Sequence, residues 1–599
     1  MEFSALSTIA GIGFLGAVAQ WVAWRVRLPA ILFLLLFGIL VGPVLSWLDP
    51  DAFFGDILFP LVSLSVAVIL FEGSMTLHFS ELKEVGSTVR NLVTIGAFVT
   101  WAITSWLVHT VIGFEYKLAF LFGAVVVVTG PTVIVPMLRT VRPNKRIANI
   151  LRWEGIVIDP LGALLAVLAF DFYISTQGGE AIGSILLLFL EIVLVGVVTG
   201  CIAGFGLGAM LGRYLVPEYL RSPITLLLVF VVFAAAEHFA HESGLLAVTI
   251  FGMTLANQKD LDVKDILDFK ESLTVVLIGG LFVILAARVD LDALYSIGFD
   301  SLILLAGVIF LARPLSVFIS CIGSELTLQE RLLISWIGPR GIVCAAVASV
   351  FAIRLVEIGA EDAEIFVPLA FLIIIGTVVL QSTTAKYVAH WLGVRDPAPS
   401  GFLIVGGGQV GRMLAKALHE QEVRVLIADS EWDNISQARM DGIETYFGNP
   451  VSEHADRYLD LSGIGNLVSL TGRTNFDVVA SMYYRSVFGA RNAYELPSAA
   501  EGEQKDKHRV STRLRGQRMF GEDVSYNMLL GWLTAGATVR VTPLSDEFGF
   551  VEYMETYAER FIPLFAVEPS GRLHVQTAEG ALEPEAGWKL ISLVKPEQE

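Results

Sequence analysis

Long apolar runs repeat through the first 387 residues, and this repetition limits most strongly what the chain can fold into. Most runs reach the ~20 residues that a helix needs to cross a ~30 Å hydrocarbon core. With 54% hydrophobic and 17% charged residues, the composition is not that of a soluble protein. We therefore predict a polytopic α-helical membrane domain over residues 1–388 with about thirteen spans. The predicted spans are 5–23, 28–48, 57–75, 91–112, 117–138, 147–170, 182–211, 222–240, 243–257, 272–288, 297–322, 331–353 and 364–386.

Lysine and arginine are concentrated in alternate loops between these runs, as in residues 139–146 and 259–270. Basic loops stay on the cytoplasmic side of membranes, so the asymmetry predicts an outside N-terminus and a cytoplasmic C-terminal part in a cell inner membrane. The net charge of −18 argues against nucleic acid as a partner. The three cysteines lie in predicted spans, which argues against a disulfide framework or a cysteine-rich metal site.

The stretch RWEGIVIDPLGALLAVLAF, residues 152–170, places Glu154 and Asp159 inside an apolar run. Buried charge is costly in a bilayer, so an acid at this depth is a functional candidate. Five residues on a helix correspond to ~7.5 Å of rise and ~140° of rotation, which suggests different roles for the two acids. Arg340 and Arg313 lie at a depth similar to that of Glu154. We expect Glu154 to pair with one of these arginines, leaving Asp159 free to exchange a proton or a cation.

Two predicted spans contain a Gly-Pro pair near their middle: Gly130-Pro131 and Gly338-Pro339. Proline removes a backbone donor and disrupts the preceding turn, which frees polar groups for other partners. Interrupted helices at matching places in two halves are typical of inverted-repeat transporters. We expect spans 1–6 and 8–13 to form such a repeat, with two broken helices that cross at the binding site.

After the last apolar run, GFLIVGGGQVGRMLAKAL predicts a strand, a glycine turn and a helix, with Gly406, Gly408 and Gly411 in a G-x-G-x-x-G pattern. A second strand ends at Asp429, where an acid can bind ribose hydroxyls and disfavours NADP. We predict a cytoplasmic α/β Rossmann-like domain over residues 399–500. Residues 509–549 should complete its sheet, and residues 550–599 should form a small β-rich module.

This order of elements, together with FGNP at residues 447–450, resembles the RCK regulatory domain (TrkA-N and TrkA-C type) of potassium channels and transporters. The resemblance implies an adenine nucleotide or dinucleotide, such as AMP, ATP or NAD(H), as a regulatory ligand. Asn449 stands where an acid is common in that family. The positions that match the family's pocket are Gly406, Gly408, Gln409, Val410, Gly411 and Asp429.

The membrane part resembles the NhaP-like branch of the sodium/proton exchanger superfamily, through LFEGSMTL (70–77), EHFAHESGLLAVTIFG (237–252) and GPRGIV (338–343). The resemblance implies thirteen spans, a homodimer and an elevator-like movement of the ion-binding domain. Ile158 replaces the asparagine that usually precedes the carrier aspartate, and Gly130 replaces an aspartate.

By the same resemblance, Asp159 is the ion and proton carrier and Thr129 lends an oxygen. Glu154 with Arg340 or Arg313 would be the supporting ion pair. The predicted function is a secondary transporter rather than an enzyme: a K+ or Na+/H+ antiporter that exchanges 1:1 and electroneutrally through one carrier acid. No metal beyond the transported cation is expected. The alternative is a nucleotide-gated transporter or channel for another small solute, although no TVGYG-like filter is present.

Overall fold

The computed structural model divides the chain into two compact units, Met1–Arg395 and Asp396–Glu599. The structure describes residues 5–26, 28–175, 182–258, 261, 264–289, 291–292, 298–360, 362–396, 399–496, 515–580 and 582–596.

The first unit is helical in the part that the structure describes. Eight of its described helices are long and apolar enough to cross a membrane: Ala5–Val26, Pro50–Met75, Leu82–Ile112, Lys145–Ile174, Leu187–Gly212, Glu218–Phe239, Phe299–Ser320 and Ala363–Trp391. Several shorter apolar helices accompany them. This confirms a helical membrane domain, while the count of thirteen spans stays a prediction. The helices are α1 (Ala5–Val26), α2 (Ala30–Val44), α3 (Pro50–Met75), α4 (Leu82–Ile112), α5 (Tyr116–Val126), α6 (Pro131–Val141), α7 (Lys145–Ser175), α8 (Ile182–Gly212), α9 (Glu218–Phe239), α10 (Gly244–Ala256), α11 (Lys264–Ala287), α12 (Phe299–Ser320), α13 (Leu328–Trp336), α14 (Ile342–Glu357) and α15 (Ala363–Trp391).

Two of the predicted spans are interrupted at their Gly-Pro pairs. Helix α5 stops before residues 127–130, and α6 then begins at Pro131 with Gly130 as its N-cap. Proline suits a first helical position because its missing N–H has no partner there in any case. In the second span, residues 337–341 separate α13 from α14. We refer to residues 127–130 and 337–341 together as the crossing.

The second unit begins with a six-stranded parallel sheet in the order β3-β2-β1-β4-β5-β6. This is the doubly wound arrangement predicted from the glycine pattern. The direction of the strand order reverses between β1 and β4, so the carboxyl ends of these strands open into a crevice. The elements are β1 (Gly401–Val405), α16 (Gln409–His419), β2 (Val425–Asp429), α17 (Trp432–Met440), β3 (Glu444–Phe447), α18 (Glu453–Tyr458), β4 (Ile464–Ser469), α19 (Thr474–Phe488), β5 (Ala493–Glu495) and β6 (Gln517–Arg518).

A second sheet of four strands follows, in the order β7-β10-β8-β9. Its strand β7 pairs antiparallel with β10. Of the described strands within residues 509–549, β6 therefore belongs to the first sheet and β7 to the second. The elements are α20 (Tyr526–Thr534), β7 (Thr538–Pro543), α21 (Phe550–Tyr557), β8 (Phe561–Val567), β9 (Leu573–Val575) and β10 (Lys589–Val594).

Candidate functional site

The two interrupted spans contact each other through backbone atoms at the crossing. Thr129 and Arg340 form an antiparallel bridge, and the Gly130 N–H donates to the Pro339 carbonyl at 3.4 Å. A Cβ atom on Gly130 would lie 2.4 Å from the Cα of Gly341. Only glycine permits this approach, which explains its presence on both sides of the crossing.

Arg340 places its cation inside the crossing. Its side chain is almost fully buried, and Nη1 donates to the Val127 carbonyl at 2.9 Å. The Arg340 backbone N–H donates to Thr377 Oγ1 at 3.2 Å, so α15 supports the same segment. Among the described residues, Nε and Nη2 of Arg340 have no hydrogen-bond partner. Arg340 therefore binds a carbonyl freed by the helix break and is not the partner of Glu154.

Glu154 pairs with Arg313 instead. Arg313 Nη1 and Nη2 donate to the two carboxylate oxygens of Glu154, with Nη2 at 2.9 Å from Oε2. The same Nη2 donates to the Ile337 carbonyl at 2.8 Å, which ties the pair to the crossing. Both side chains are buried. Of the two arginines that the sequence left open, the geometry selects Arg313.

Asp159 lies on α7 where this helix packs closely against both sides of the first break. A Cβ on Gly155 would lie 2.7 Å from Ile134 Cδ1, and one on Gly162 would lie 2.4 Å from Val128 Cγ2. Asp159 stands between these two contacts and is 1% exposed. Its neighbour Ile158 is buried and apolar, so it adds no polar ligand.

Three buried oxygens in this region have no hydrogen-bond partner within the described part of the chain: Asp159 Oδ1, Thr129 Oγ1 and Thr132 Oγ1. Buried polar atoms are nearly always paired, because an unpaired one loses its hydration without compensation. The Asp159 carboxylate can bind a proton or a monovalent cation, and the two hydroxyl oxygens can serve only as ligands of the cation. Thr132 was not predicted; its place directly after the Gly-Pro pair was the available signal.

The second unit contains a cavity of about 450 Å³ at the carboxyl ends of β1, β2 and β4. The turn at its floor is tight. Gly406 has φ 109°, and a Cβ on Gly411 would lie 2.1 Å from the Gly406 carbonyl oxygen. The residues around the cavity include Gly406, Gly408, Asp429, Glu431, Asn434, Asn449, Thr471, Arg473, Phe476 and Tyr526.

Asp429 is held in place by several hydrogen bonds. Its Oδ2 accepts from the Gly407 N–H at 2.7 Å and from Asn434 Nδ2 at 2.9 Å, and its Oδ1 accepts from the Glu431 N–H at 2.9 Å. The carboxylate therefore joins the glycine turn to α17. A ribose hydroxyl that donates to Asp429 would share or replace the Asn434 amide.

The predicted pocket residues divide into two groups. Gly406, Gly408, Asp429 and Asn449 line the cavity. Gln409 is exposed at the start of α16, the side chain of Val410 is buried in the hydrophobic core, and Gly411 packs under Gly406. For these three residues, the glycine pattern identified the turn rather than cavity-lining side chains. Sequence reasoning missed Asn434, Thr471, Arg473 and Tyr526, which are distant in the sequence from the glycine pattern.

Residues 13–391 match the family described as sodium/hydrogen exchanger, transmembrane. The chain belongs to this family. A similar protein is Na(+)/H(+) antiporter 1 of Methanocaldococcus jannaschii, 29% identical over 393 residues that cover 63% of this exchanger and 92% of that protein. Another is K(+)/H(+) antiporter NhaP of Alkalimonas amylolytica, which is 28% identical over 410 residues. This match covers 66% of this exchanger and 68% of that protein.

The exchanger's fold is also similar to that of the sodium proton antiporter MjNhaP1 from Methanocaldococcus jannaschii, solved at pH 8. That match has a TM-score of 0.57 and 26% identity, and it covers 65% of this exchanger and 98% of that chain. Residues 402–507 match the TrkA-N domain, which confirms the predicted RCK-type unit. Its Rossmann-like sheet is of the nucleotide-binding kind.

Proposed function

We propose that this chain is a monovalent cation/proton antiporter in which Asp159 carries either ion. The proposal rests on the different hydrogen-bond partners of the two buried acids, Glu154 and Asp159. Glu154 is neutralised by Arg313, whereas Asp159 Oδ1 is buried beside the crossing with no partner among the described residues. A buried carboxylate without a partner is stabilised more by binding H+ or a cation than one that is already paired.

The proposed exchange follows from competition for one site. A proton or a cation neutralises Asp159, and only a neutral site can cross the membrane without a large electrostatic free-energy cost. One carrier acid gives a 1:1, electroneutral exchange. The hydroxyls of Thr129 and Thr132 supply further oxygens to the cation. We propose that the site moves by an elevator-like displacement, with the Glu154–Arg313 pair holding α7, α12 and the crossing together during the movement.

Potassium is the cation that we favour over sodium. Ile158 and Gly130 remove two polar ligands that the family pattern would supply. K+ is less strongly hydrated than Na+. A site with fewer fixed ligands can therefore replace the hydration shell of K+ more easily than that of Na+, because the number and field strength of the ligands decide such selectivity. The relatives include proteins named as antiporters for each ion.

The proposed topology is the one predicted from the sequence. It has thirteen spans arranged as an inverted repeat, an outside N-terminus, a cytoplasmic C-terminal unit and a homodimer in the inner membrane. The matching breaks before α6 and α14 support the repeat, since each lies at a Gly-Pro pair and the two meet at the crossing.

We also propose that an adenine nucleotide, AMP, ATP or NAD(H), regulates transport by binding in the cavity beside Asp429. The cavity of about 450 Å³ lies in the usual size range of small-molecule sites. The glycine turn and the start of α16 favour a phosphate, and Asp429 suits ribose hydroxyls.

The first experiment uses everted membrane vesicles with an imposed pH gradient and a fluorescent pH reporter. K+ or Na+ is added to vesicles that contain wild type or Asp159→Asn. We expect one cation to collapse the gradient with wild type and neither to do so with Asp159→Asn. Glu191→Gln, a carboxyl change on the exposed face of α8, is the matched control and should transport normally.

Two results would contradict the proposal. Full exchange by Asp159→Asn would remove Asp159 from the mechanism. A current proportional to turnover in planar bilayers would exclude electroneutral 1:1 exchange. Adding AMP, ATP or NADH to the wild-type assay tests regulation, because a bound regulator must change the rate of gradient collapse.

A further inference from the structure

Tyr526 enters the cavity from a part of the chain that follows the last strands of the Rossmann sheet. It is the first residue of α20, whose start is fixed by Ser525 Oγ accepting from the Met528 N–H at 3.2 Å. Helix α20 packs against α16, the helix that follows the glycine turn. The position of Tyr526 is therefore set by the fold rather than by a free loop.

The ring of Tyr526 spans the two glycine turns that border the cavity. A Cβ on Gly408 would lie 2.9 Å from the Tyr526 hydroxyl oxygen, and one on Gly472 would lie 3.6 Å from the ring edge. The hydroxyl therefore lies just ahead of the N-terminus of α16, where backbone N–H groups and the helix dipole attract phosphate. It has no hydrogen-bond partner among the residues that the structure describes.

The surroundings keep this hydroxyl able to donate. Burial, followed by the carboxylates of Asp477 and Asp429, raises the pKa of Tyr526, against the opposing effect of Arg412. The phenol is therefore protonated at neutral pH. A protonated phenol at this position can donate a hydrogen bond to an anionic phosphate, and such charge-assisted bonds are stronger than neutral ones.

The far end of α20 contacts the C-terminal module. Leu529 and Trp532 are buried in the same hydrophobic core as Ile591 and Leu593 of β10. The ammonium of Lys595, just beyond β10, lies 4.2 Å from the centre of the Trp532 ring. A displacement of α20 at the cavity therefore changes a packed contact with the second sheet.

We propose that Tyr526 is a phosphate-contacting residue of the nucleotide pocket and that α20 transmits ligand binding to the C-terminal module. This inference rests on the proposed regulation by an adenine nucleotide and adds the residue that donates a hydrogen bond to the ligand's phosphate. The ligand class that fits is an adenine nucleotide with at least one phosphate, rather than a nucleoside.

The test measures binding of AMP, ATP, NAD+, NADH and adenosine to the full-length protein in nanodiscs by calorimetry. Tyr526→Phe keeps the ring and removes the donor, and Tyr458→Phe on the exposed end of α18 is the matched control. We expect Tyr526→Phe to weaken the nucleotide bound by wild type about tenfold, the cost of one hydrogen bond to a charged group. Any weak adenosine binding should stay unchanged, and Tyr458→Phe should behave as wild type.

A second variant tests transmission. Lys595→Met removes the cation from the Trp532 ring without touching the cavity. It should bind nucleotide like wild type while the nucleotide-dependent change in transport rate falls by at least half. An unchanged rate response in Lys595→Met would overturn transmission through this contact.

The failures are distinguishable. If wild type binds none of the four nucleotides, the proposed regulation and the role of Tyr526 both fail. If wild type binds one of them and Tyr526→Phe binds it equally well, only the role of Tyr526 fails. If Tyr526→Phe weakens adenosine and nucleotide alike, the tyrosine supports the pocket's shape and does not contact the phosphate.

Discussion

Arg313 holds Glu154 through two parallel hydrogen bonds in the interior of the helical unit, and the same guanidinium binds the Ile337 carbonyl at 2.8 Å. The pair therefore connects α7, α12 and the residues just before the second Gly-Pro pair. Because its two charges cancel each other, the pair does not compete for the transported ions. Its role in the proposed mechanism is to fix the position of α7, which carries Asp159.

The Glu154–Arg313 pair should show strong energetic coupling. Removing one partner leaves an uncompensated buried charge, which typically costs about 3–5 kcal/mol. We expect Glu154→Leu to lower the free energy of unfolding by about this amount. The double variant Glu154→Leu/Arg313→Leu should be less destabilised than the sum of the two single variants. Unfolding in mixed detergent and SDS micelles provides the four values of the double-mutant cycle.

The exposed pair Arg146–Glu325, with 3.6 Å between Nη2 and Oε2, is the control for that cycle. Solvent screening limits surface pairs to about 0–1 kcal/mol, so its coupling energy should be small. Equal coupling in the two cycles would show that burial does not strengthen the Glu154–Arg313 pair.

The crossing should not tolerate a side chain at Gly130. A Cβ there would lie 2.4 Å from the Cα of Gly341, and backbone atoms cannot move aside as a flexible side chain can. Gly130→Ala should therefore abolish exchange in vesicles and lower the apparent melting temperature. Gly206→Ala on α8 is the control, since nothing lies within 4 Å of the added methyl group. Normal exchange by Gly130→Ala would mean that the two segments separate during transport.

Most residues of the proposed ion site can be selected from the sequence because buried charge and helix breaks leave strong local signals. Glu154, Asp159 and both Gly-Pro pairs follow from an apolar background in which any polar residue is conspicuous. The choice between Arg313 and Arg340 could not follow, since both lie at similar depth and only helix packing directs each guanidinium. Thr132 was missed because a threonine hydroxyl in a helix usually bonds to a preceding carbonyl, and only the folded structure shows that this one does not.

In the second unit, the glycine pattern predicted a Rossmann-like fold and a second strand that ends at Asp429, because that pattern is contiguous in sequence. Tyr526 and Arg473 could not be predicted, since they reach the cavity through long-range folding. The sheet to which β7 belongs does not follow from the sequence for a related reason. A short strand such as TVRVTP does not encode its partner, and its antiparallel pairing with β10 depends on residues about fifty positions later.

Glu242, in the loop between α9 and α10, should make stability depend on pH. Burial raises the pKa of Glu242 to about 7, together with the carboxylate of Glu237 and against the charge of Arg354. A carboxyl whose pKa is higher in the folded state binds its proton more tightly there. The free energy of unfolding therefore falls as pH rises from about 4.5, the carboxyl's usual pKa, to about 7.

Glu242→Gln imitates the protonated side chain and should therefore remove this decrease in the free energy of unfolding with rising pH. Because Glu242 is only partly buried, we expect a gain of about 1 kcal/mol at pH 8, or roughly 2–4 °C in melting temperature, and little change at pH 5. Differential scanning fluorimetry at both pH values measures it. Glu218→Gln, at the exposed start of α9, should give the same small change at both pH values. A gain for Glu242→Gln at pH 5 as large as at pH 8 would contradict this account.

Asp429 should strengthen nucleotide binding without being needed for the fold of the second unit. Its carboxylate accepts from the Gly407 N–H and from Asn434, so Asp429→Asn loses the negative charge behind these bonds and one of the two oxygens that could accept from a ribose hydroxyl. We expect about tenfold weaker binding by calorimetry, the cost of one hydrogen bond to a charged group. Asp433→Asn, an exposed carboxyl change in the first turn of α17, is the control and should bind as wild type. If Asp429→Asn binds nucleotide as tightly as wild type, the ribose does not lie against this acid, and the ligand must use the part of the cavity bordered by Thr471 and Arg473.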